Sequence, residues 1–258
     1  MFGERMAKMI KILFIILLIV SNVYGGFIVN ETCPMSDRRT GLIRIYHLDV
    51  NSATQIDSST VGDNGTVTNA VYTATSKFGG AYYFDGAGDY ITMAISTVPV
   101  NVSLSAWIYI TAAPTEDKAI IAWGNNNGYR VTMMSISKPD GTNIVLGYYI
   151  YNYAAYRFWY SKTTHLSLNT WYHVVATQGT STATTPSLFV NGVSQDVYLI
   201  ASAGGTPATM GETMVLGRHG SGAFYYFKGN IDDAAVFNVR LSTAAVQAIY
   251  NEQVQENR

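Results

Sequence analysis

Charge is scarce in this chain. Among its 258 residues, Asp, Glu, Lys and Arg together make up 13%, and 16 basic residues nearly balance 17 acidic ones. No run of Lys or Arg occurs, so nothing here builds the positive field that binding to nucleic-acid phosphates needs. Cysteine is nearly absent. Cys33 stands alone, which excludes an intrachain disulfide and leaves a thiol that is free or paired between chains. The residues before it, Asn30-Glu31-Thr32, do not form a lipoprotein-type cleavage site. Glutamate is thin beyond residue 25, with Glu31, Glu116, Glu212, Glu252 and Glu256, and none shares a strand face with another carboxylate. Glu116 and Asp117 are adjacent, so on a strand they point to opposite faces. Glycoside hydrolysis needs two carboxylates about 5 to 10 Å apart, so the pattern argues against catalysis on sugars. Zinc-type ligand pairs are missing too: His47, His165 and His219 share no such spacing. His173, within Trp171-Tyr172-His173-Val174-Val175, is expected to be a histidine satisfied inside a sandwich. No nucleophile-elbow glycine motif is present.

Long apolar runs are confined to the N-terminus. Arg5, Lys8 and Lys11 precede an uninterrupted apolar stretch from Ile12 to Val20, and Val23-Tyr24-Gly25 offers small residues at the critical positions. This is the layout of a signal peptide, and the stretch is too short to span a bilayer. Residues 1–25 are therefore expected to be a signal peptide cleaved after Gly25. The mature protein is expected to be secreted or at the cell surface, meeting a membrane only through that segment. An uncleaved anchor is the alternative, since Phe27-Ile28-Val29 could extend the stretch past Ser21, Asn22, Gly25 and Gly26. Asn30-Glu31-Thr32, Asn64-Gly65-Thr66 and Asn101-Val102-Ser103 are acceptor triplets that matter only if the source glycosylates.

What the chain does have is aromatic residues and β-formers. Aromatics make up 13%, with 19 tyrosines. Residues 26–40 read as a polar lead-in and 252–258 as a polar, fraying tail. Between them, over 41–251, one domain is expected. The strand pattern starts at Leu42, where Ile43, Ile45 and, less strictly, His47 alternate with Arg44, Tyr46 and Leu48. A Ser/Thr/Asn/Gly-rich loop with one short strand, Val67 to Tyr72, follows. Then come Tyr82-Phe84, Tyr90-Met93, Val102-Ile110, Ala119-Trp123, Tyr129-Ile136, Asn143-Tyr151, Tyr156-Lys162, Trp171-Thr177, Ser187-Val190, Met214-Gly217 and Phe224-Asn238, punctuated by Asn127-Gly128, Asp140-Gly141 and Asn191-Gly192. Ser242 suits an N-cap for a helix from Ala244 to Tyr250. Many short strands and one helix make an all-β, two-sheet antiparallel sandwich. Trp107, Trp159 and Trp171 are expected in its core, with Trp123 nearer a loop.

Two features suggest binding. Tyr149, Tyr151 and Tyr153 share one face at period two, and Tyr156, Phe158 and Tyr160 share a face of the next strand. Asn152-Tyr153-Ala154-Ala155 would join them as a hairpin. Such a surface suits stacking on sugar rings, with Arg157 nearby, but it equally suits a protein interface or a simple core face. The second feature is Asp232-Asp233 inside an apolar strand. By alternation Asp232 shares a face with Ala234 and Val236, while Asp233 shares the other with Ile231, Ala235 and Phe237. Each buried carboxylate then needs a cation or several donors.

Four segments, in order, resemble the laminin G-like jelly rolls of the concanavalin A-like lectin/glucanase superfamily: Phe84-Asp85-Gly86 with Asp89-Tyr90-Ile91; Leu104-Ser105-Ala106-Trp107-Ile108; Trp171 to Ala176 with Leu188-Phe189-Val190-Asn191-Gly192; and Val215-Leu216-Gly217-Arg218, Lys228-Gly229-Asn230-Ile231-Asp232-Asp233, Phe237-Asn238 and Leu241-Ser242. The resemblance implies a jelly roll with a short C-terminal helix over about 41–251. It also implies calcium, held by Asp49, Asp85 and Asp232 with carbonyls and water completing six to eight ligands. It lacks the glutamate–aspartate–glutamate strand of the superfamily's glucanases. The function expected is a non-enzymatic recognition module for carbohydrate or protein at a cell or particle surface. The alternative is a structural or assembly protein that self-associates through its tyrosine-rich face into a homo-oligomer. A polysaccharide hydrolase or lyase ranks third.

Overall fold

The computed structural model describes residues 40–93, 101–124, 130–152, 155–179, 184–201, 214–220 and 224–255. The expected signal peptide, Cys33 and the turn expected at Asn127-Gly128 lie outside them. In chain order the strands are β1 (Leu42–Tyr46), β2 (Thr54–Gln55), β3 (Gly65–Thr68), β4 (Val71–Thr73), β5 (Ala81–Asp85), β6 (Tyr90–Met93), β7 (Val102–Ile110), β8 (Lys118–Gly124) and β9 (Arg130–Ser137). They continue with β10 (Val145–Asn152), β11 (Ala155–Ser161), β12 (Trp171–Gln178), β13 (Ser187–Val190), β14 (Val193–Gln195), β15 (Val197–Ala201), β16 (Met214–Leu216) and β17 (Lys228–Phe237), and the chain closes with helix α1 (Thr243–Gln255).

The strands form two antiparallel sheets. Sheet A runs β14-β13-β12-β7-β17-β5-β4, with β1 also on β17. Sheet B runs β15-β11-β10-β9-β8-β16-β6-β3-β2. Alternation sends Leu104, Ala106, Ile108 and Ile110 of β7 inward, to meet Ile120, Ile121, Met134, Leu146, Tyr148 and Trp159 of sheet B in one buried cluster. This is the two-sheet jelly roll that the strand pattern predicts.

Several local readings change. The single strand expected over Val67 to Tyr72 is two. Asn69 takes φ 60°, a left-handed turn that Asn tolerates. The break passes the chain from β3 in sheet B to β4 in sheet A. On β1 the buried side is Arg44, Tyr46 and Leu48, not the isoleucines. Arg44 is accepted there because Asp63 hydrogen-bonds its guanidinium and Asp57 lies 3.7 Å from its Nε. Trp123 belongs to the sandwich core, whereas Trp171 is half-buried against Tyr109. Residues 224–227 are loop rather than strand.

Turn chemistry holds where it can be seen. Asn191 (φ 50°) and Gly192 (φ 76°) form the left-handed pair that closes β13 onto β14, with Val190 opposite Val193. Helix α1 starts as expected, with the Ser242 hydroxyl accepting the Ala245 N–H at 3.1 Å. It runs past Tyr250 to Gln255, because its last turn is anchored: the Trp107 Nε1–H donates to Gln253 Oε1 at 3.0 Å.

Candidate functional site

The carboxylates of β17 come first. Pairing with β7 is regular through Asp232↔Trp107 and resumes one residue out of step at Ala235↔Ser105. Asp233, at φ 43°, is the bulge. The extra residue overturns the simple alternation. Both Asp232 and Asp233 turn away from the sandwich core, onto the outer face of sheet A beneath α1 and the 77–80 turn. Asp233 Oδ1 lies 2.6 Å from His47 Nδ1, and its Oδ2 accepts from Gln253 Nε2 at 3.2 Å. Asp232 is fully buried. Its Oδ2 accepts the N–H groups of Lys77 and Phe78, both at 3.0 Å, while its Oδ1 has no hydrogen-bond partner among the described residues. Burial, reinforced by repulsion from Asp233 and Asp49, outweighs those N–H groups and pushes the Asp232 carboxyl up to about 8.

Asp49 grips the same turn. Its Oδ1 accepts the Gly80 N–H at 3.1 Å, and a side chain on Gly79 would begin 2.5 Å from that oxygen. The structure thus brings two of the three expected calcium ligands, Asp49 and Asp232, to one turn. Asp85 is not with them. It ends β5, whereas Gly80, bound to Asp49, immediately precedes that strand's start, and a five-residue strand spans roughly 15 Å. Among the described residues no three His, Cys, Asp or Glu side chains converge to hold a metal. The fit to a hard cation therefore rests on one buried, unpartnered carboxylate oxygen beside a second carboxylate, with main-chain carbonyls and water supplying the remainder.

His173, expected to be satisfied inside the sandwich, lies on the outer face of sheet A, stacked with Tyr250, and its Nδ1 has no hydrogen-bond partner among the described residues. It is fully buried, its Nε2 lies 2.8 Å from the Ser105 hydroxyl, and burial pushes its pKa down to about 3.

The tyrosine face is on the outer side of sheet B. Strands β10 and β11 pair as the expected hairpin, with Asn152 opposite Ala155; Tyr153 lies outside the described residues, and of Tyr151 only the backbone is described. Tyr149 faces Phe158, Tyr151 pairs with Tyr156, and Gly147 pairs with Tyr160, so the two aromatic rows merge on one face. Arg157 is not part of it. It sits opposite Ile150, on the face that turns inward, because residues one apart on a strand point to opposite sides. A residue that sequence inspection missed extends the row: Tyr198, on β15, pairs with Tyr160 at a ring separation of 5.6 Å.

The rings are not laid flat. Tyr149 and Phe158 stack at 4.2 Å and 24°, and Phe158 and Tyr160 lie 13° from parallel at 6.1 Å. Tyr156 meets Phe158 edge-on at 5.2 Å. Phe158 is thus enclosed by neighbouring rings, and the row offers ring edges and phenol hydroxyls more than open faces. Gly147 makes this possible, since a side chain there would begin 3.2 Å from the Tyr160 ring. The row ends in a polar corner where the Tyr160 hydroxyl donates to Asp117 Oδ1 at 3.3 Å. Burial raises the Asp117 pKa, against hydrogen bonds from Ser137 and Tyr160 that lower it. Tyr225 closes the other flank over Ala119, Ala122, Val131 and Met133, holding a φ of 58° that is unusual for a bulky residue.

The chain belongs to the laminin G-like domains of the concanavalin A-like lectin/glucanases superfamily, whose family model matches residues 84–247. No curated protein matches the sequence significantly. Among solved structures it resembles domain 4 of AbnA, a GH43 extracellular arabinanase from Geobacillus stearothermophilus, in complex with arabinotriose: TM-score 0.63, 19% identity, 81% of this chain and 98% of that one. The receptor-binding domain of botulinum neurotoxin type G (TM-score 0.54, 15% identity, 83% of this chain) and Trypanosoma rangeli sialidase (0.58, 18%, 83%) are also similar. This chain spans about half of the former and a third of the latter, covering 52% and 33% of them. At these identities the likeness concerns the fold.

Proposed function

We propose that this protein is an exported, non-enzymatic recognition module that binds carbohydrate on the outer face of sheet B. The observation that carries the reading is the aromatic row Tyr149–Phe158–Tyr160–Tyr198, with Tyr156 at its edge and Asp117 and Ser137 at its polar corner. The half-exposed phenol groups of Tyr149, Tyr156 and Tyr198 supply the donors and acceptors that a sugar's hydroxyls require, beside an Asp117 held by the buried Tyr160 and Ser137, and the ring edges supply the apolar contact. A neighbour of similar fold was captured with arabinotriose, which supports a saccharide over other small ligands. The test is a glycan array probed with wild type and Tyr149→Ala. Glycan retention by wild type and its loss in the variant, at unchanged melting temperature, is expected; equal retention by both rejects this face.

Calcium enters the same proposal as a structural ion. Asp232 Oδ1 and the Asp49 carboxylate would hold it, and bound there it would neutralise the buried charge and lock the 77–80 turn against sheet A. Chelation should lower the melting temperature of wild type and leave Asp232→Ala unmoved. A wild type indifferent to chelator removes the ion from the account.

A specific observation favours a second reading, self-assembly through the same face. Strand β15 is an edge of sheet B among the described residues, and it exposes Leu199 and Ile200, 47% and 45% accessible. Ile200 lies opposite Phe158, on the side of the tyrosine row, so sedimentation that depends on concentration in wild type and not in Ile200→Lys would support assembly.

A further inference from the structure

We propose a second binding site, at the mouth of the sandwich beside the β5–β6 turn, for a single carboxylated sugar residue of the uronic-acid type. A pocket of about 220 Å³ opens there between the ends of the two sheets. That equals roughly seven waters of liquid volume, the scale of one sugar ring. Lys118, Lys228, Asp85 and Tyr226 supply its polar groups, and Pro114 and Ile136 an apolar wall.

The charges select the ligand. Glu116 offsets Lys118, so the site is balanced as it stands; once a ligand displaces Glu116, two ammonium groups and the Asp85 carboxylate leave one net positive charge, which matches one anionic group. Lys228 is exposed, and its stem lies over Gly86, 3.2 Å at Cβ and 3.4 Å at Cδ from where a side chain there would begin. Its ammonium has no hydrogen bond or ion pair among the described residues. The Lys118 ammonium is held at 2.9 Å by Glu116, whose side chain is 52% exposed. An exposed pair of this kind is weak and easily exchanged for a ligand carboxylate. Asp85 rejects a doubly charged phosphate by repulsion, yet it can accept hydroxyl groups. A carboxylate with adjacent hydroxyls satisfies both demands. Asp85, which resemblance alone would assign to calcium, thus finds its place at this pocket.

The site is separate from the tyrosine face, so the two can fail independently. Titration of the intact protein with glucuronate, followed by calorimetry, should give millimolar affinity that weakens with added salt. Glucose and acetate should each bind at least about tenfold more weakly. Lys228→Met and Lys118→Met should each weaken glucuronate binding by a similar factor at unchanged melting temperature, with Lys228→Arg restoring part of it. Tyr149→Ala should leave it intact. Glucuronate binding no tighter than glucose, acetate binding as tight as glucuronate, or a Lys228→Met variant that binds like wild type would each overturn the proposal.

Discussion

The two sheets share one core but carry opposite kinds of outer face. On sheet A that face is roofed by the chain itself. Helix α1 and the 77–80 turn cover Trp107, His173, Asp232 and Asp233, and the polar groups are spent on one another: Trp107 on Gln253, Gln253 on Asp233, Asp233 on His47. On sheet B the comparable face carries Tyr149, Tyr156 and Phe158 half-exposed, with phenol groups and Asp117 along its edge. The difference teaches which titratable groups to treat as architecture. His173 and Asp232 are shifted because the helix and turn bury them, and that buried network positions the roof; Asp117 and Tyr160 are shifted on the other sheet, beside the open face that a ligand can reach.

Substitutions should separate the two faces, with the largest effect at the centre of the roof. Asp232→Ala leaves the Lys77 and Phe78 N–H groups buried without an acceptor and should cost about 2–4 kcal/mol in urea denaturation. A cost below about 1 kcal/mol would show that the turn is not held by this carboxylate. The same residue sets a pH dependence. Its carboxyl is raised from 3.8 to about 8 in the folded state. Without a cation, the folded state therefore binds this proton more tightly than the unfolded one, and stability should fall as pH rises from about 4 through 8. Calcium should flatten that fall by favouring the ionised form. A flat profile in chelator, unchanged by calcium, contradicts the buried-carboxylate account.

Next in size is Gln253→Ala, which strips partners from both Trp107 Nε1 and Asp233 and should cost about 1–3 kcal/mol. Hydrogen exchange across α1 should accelerate; uniform exchange in variant and wild type would mean the helix is docked by apolar contact alone. Smaller again is Tyr149→Ala. Losing the stack on Phe158 should cost only about 1 kcal/mol of stability, while glycan retention is lost. A large stability cost with retained binding would reverse the roles assigned to the two faces. Least is Ser242→Ala, about 1 kcal/mol or less from the lost cap, read as a small drop in melting temperature with no change in binding.

Much of this was legible in the chain. The order of the Phe84-Asp85-Gly86, Ser105-x-Trp107, Trp171–Ala176 and Ile231-Asp232-Asp233 segments marks the family, and strands such as Val102–Ile110 and Ser187–Val190 fall where their composition puts them. The paired tyrosine strands follow from period-two spacing and a four-residue turn segment. Arg157 was misplaced although parity alone assigns it to the other face. Strand β15 was missed because Val197–Ala201 has no turn signal of its own, and with it went Tyr198. Lys118 and Lys228 lie more than one hundred residues apart and share no motif, so no spacing could have paired them.

Local chemistry in the sequence determined the strands, the Asn191-Gly192 turn, the helix cap and the alternation that gathers the tyrosines, because each depends on a few neighbouring side chains and backbone preferences. Tertiary structure decided the rest. A one-residue bulge at Asp233 set which side both aspartates occupy, since each extra residue in a strand inverts the alternation beyond it. Sheet pairing across long stretches of chain decided that Asp49 meets Asp232 and Asp85 does not. The docking of α1 decided which face of the sandwich is closed and which is left for a ligand.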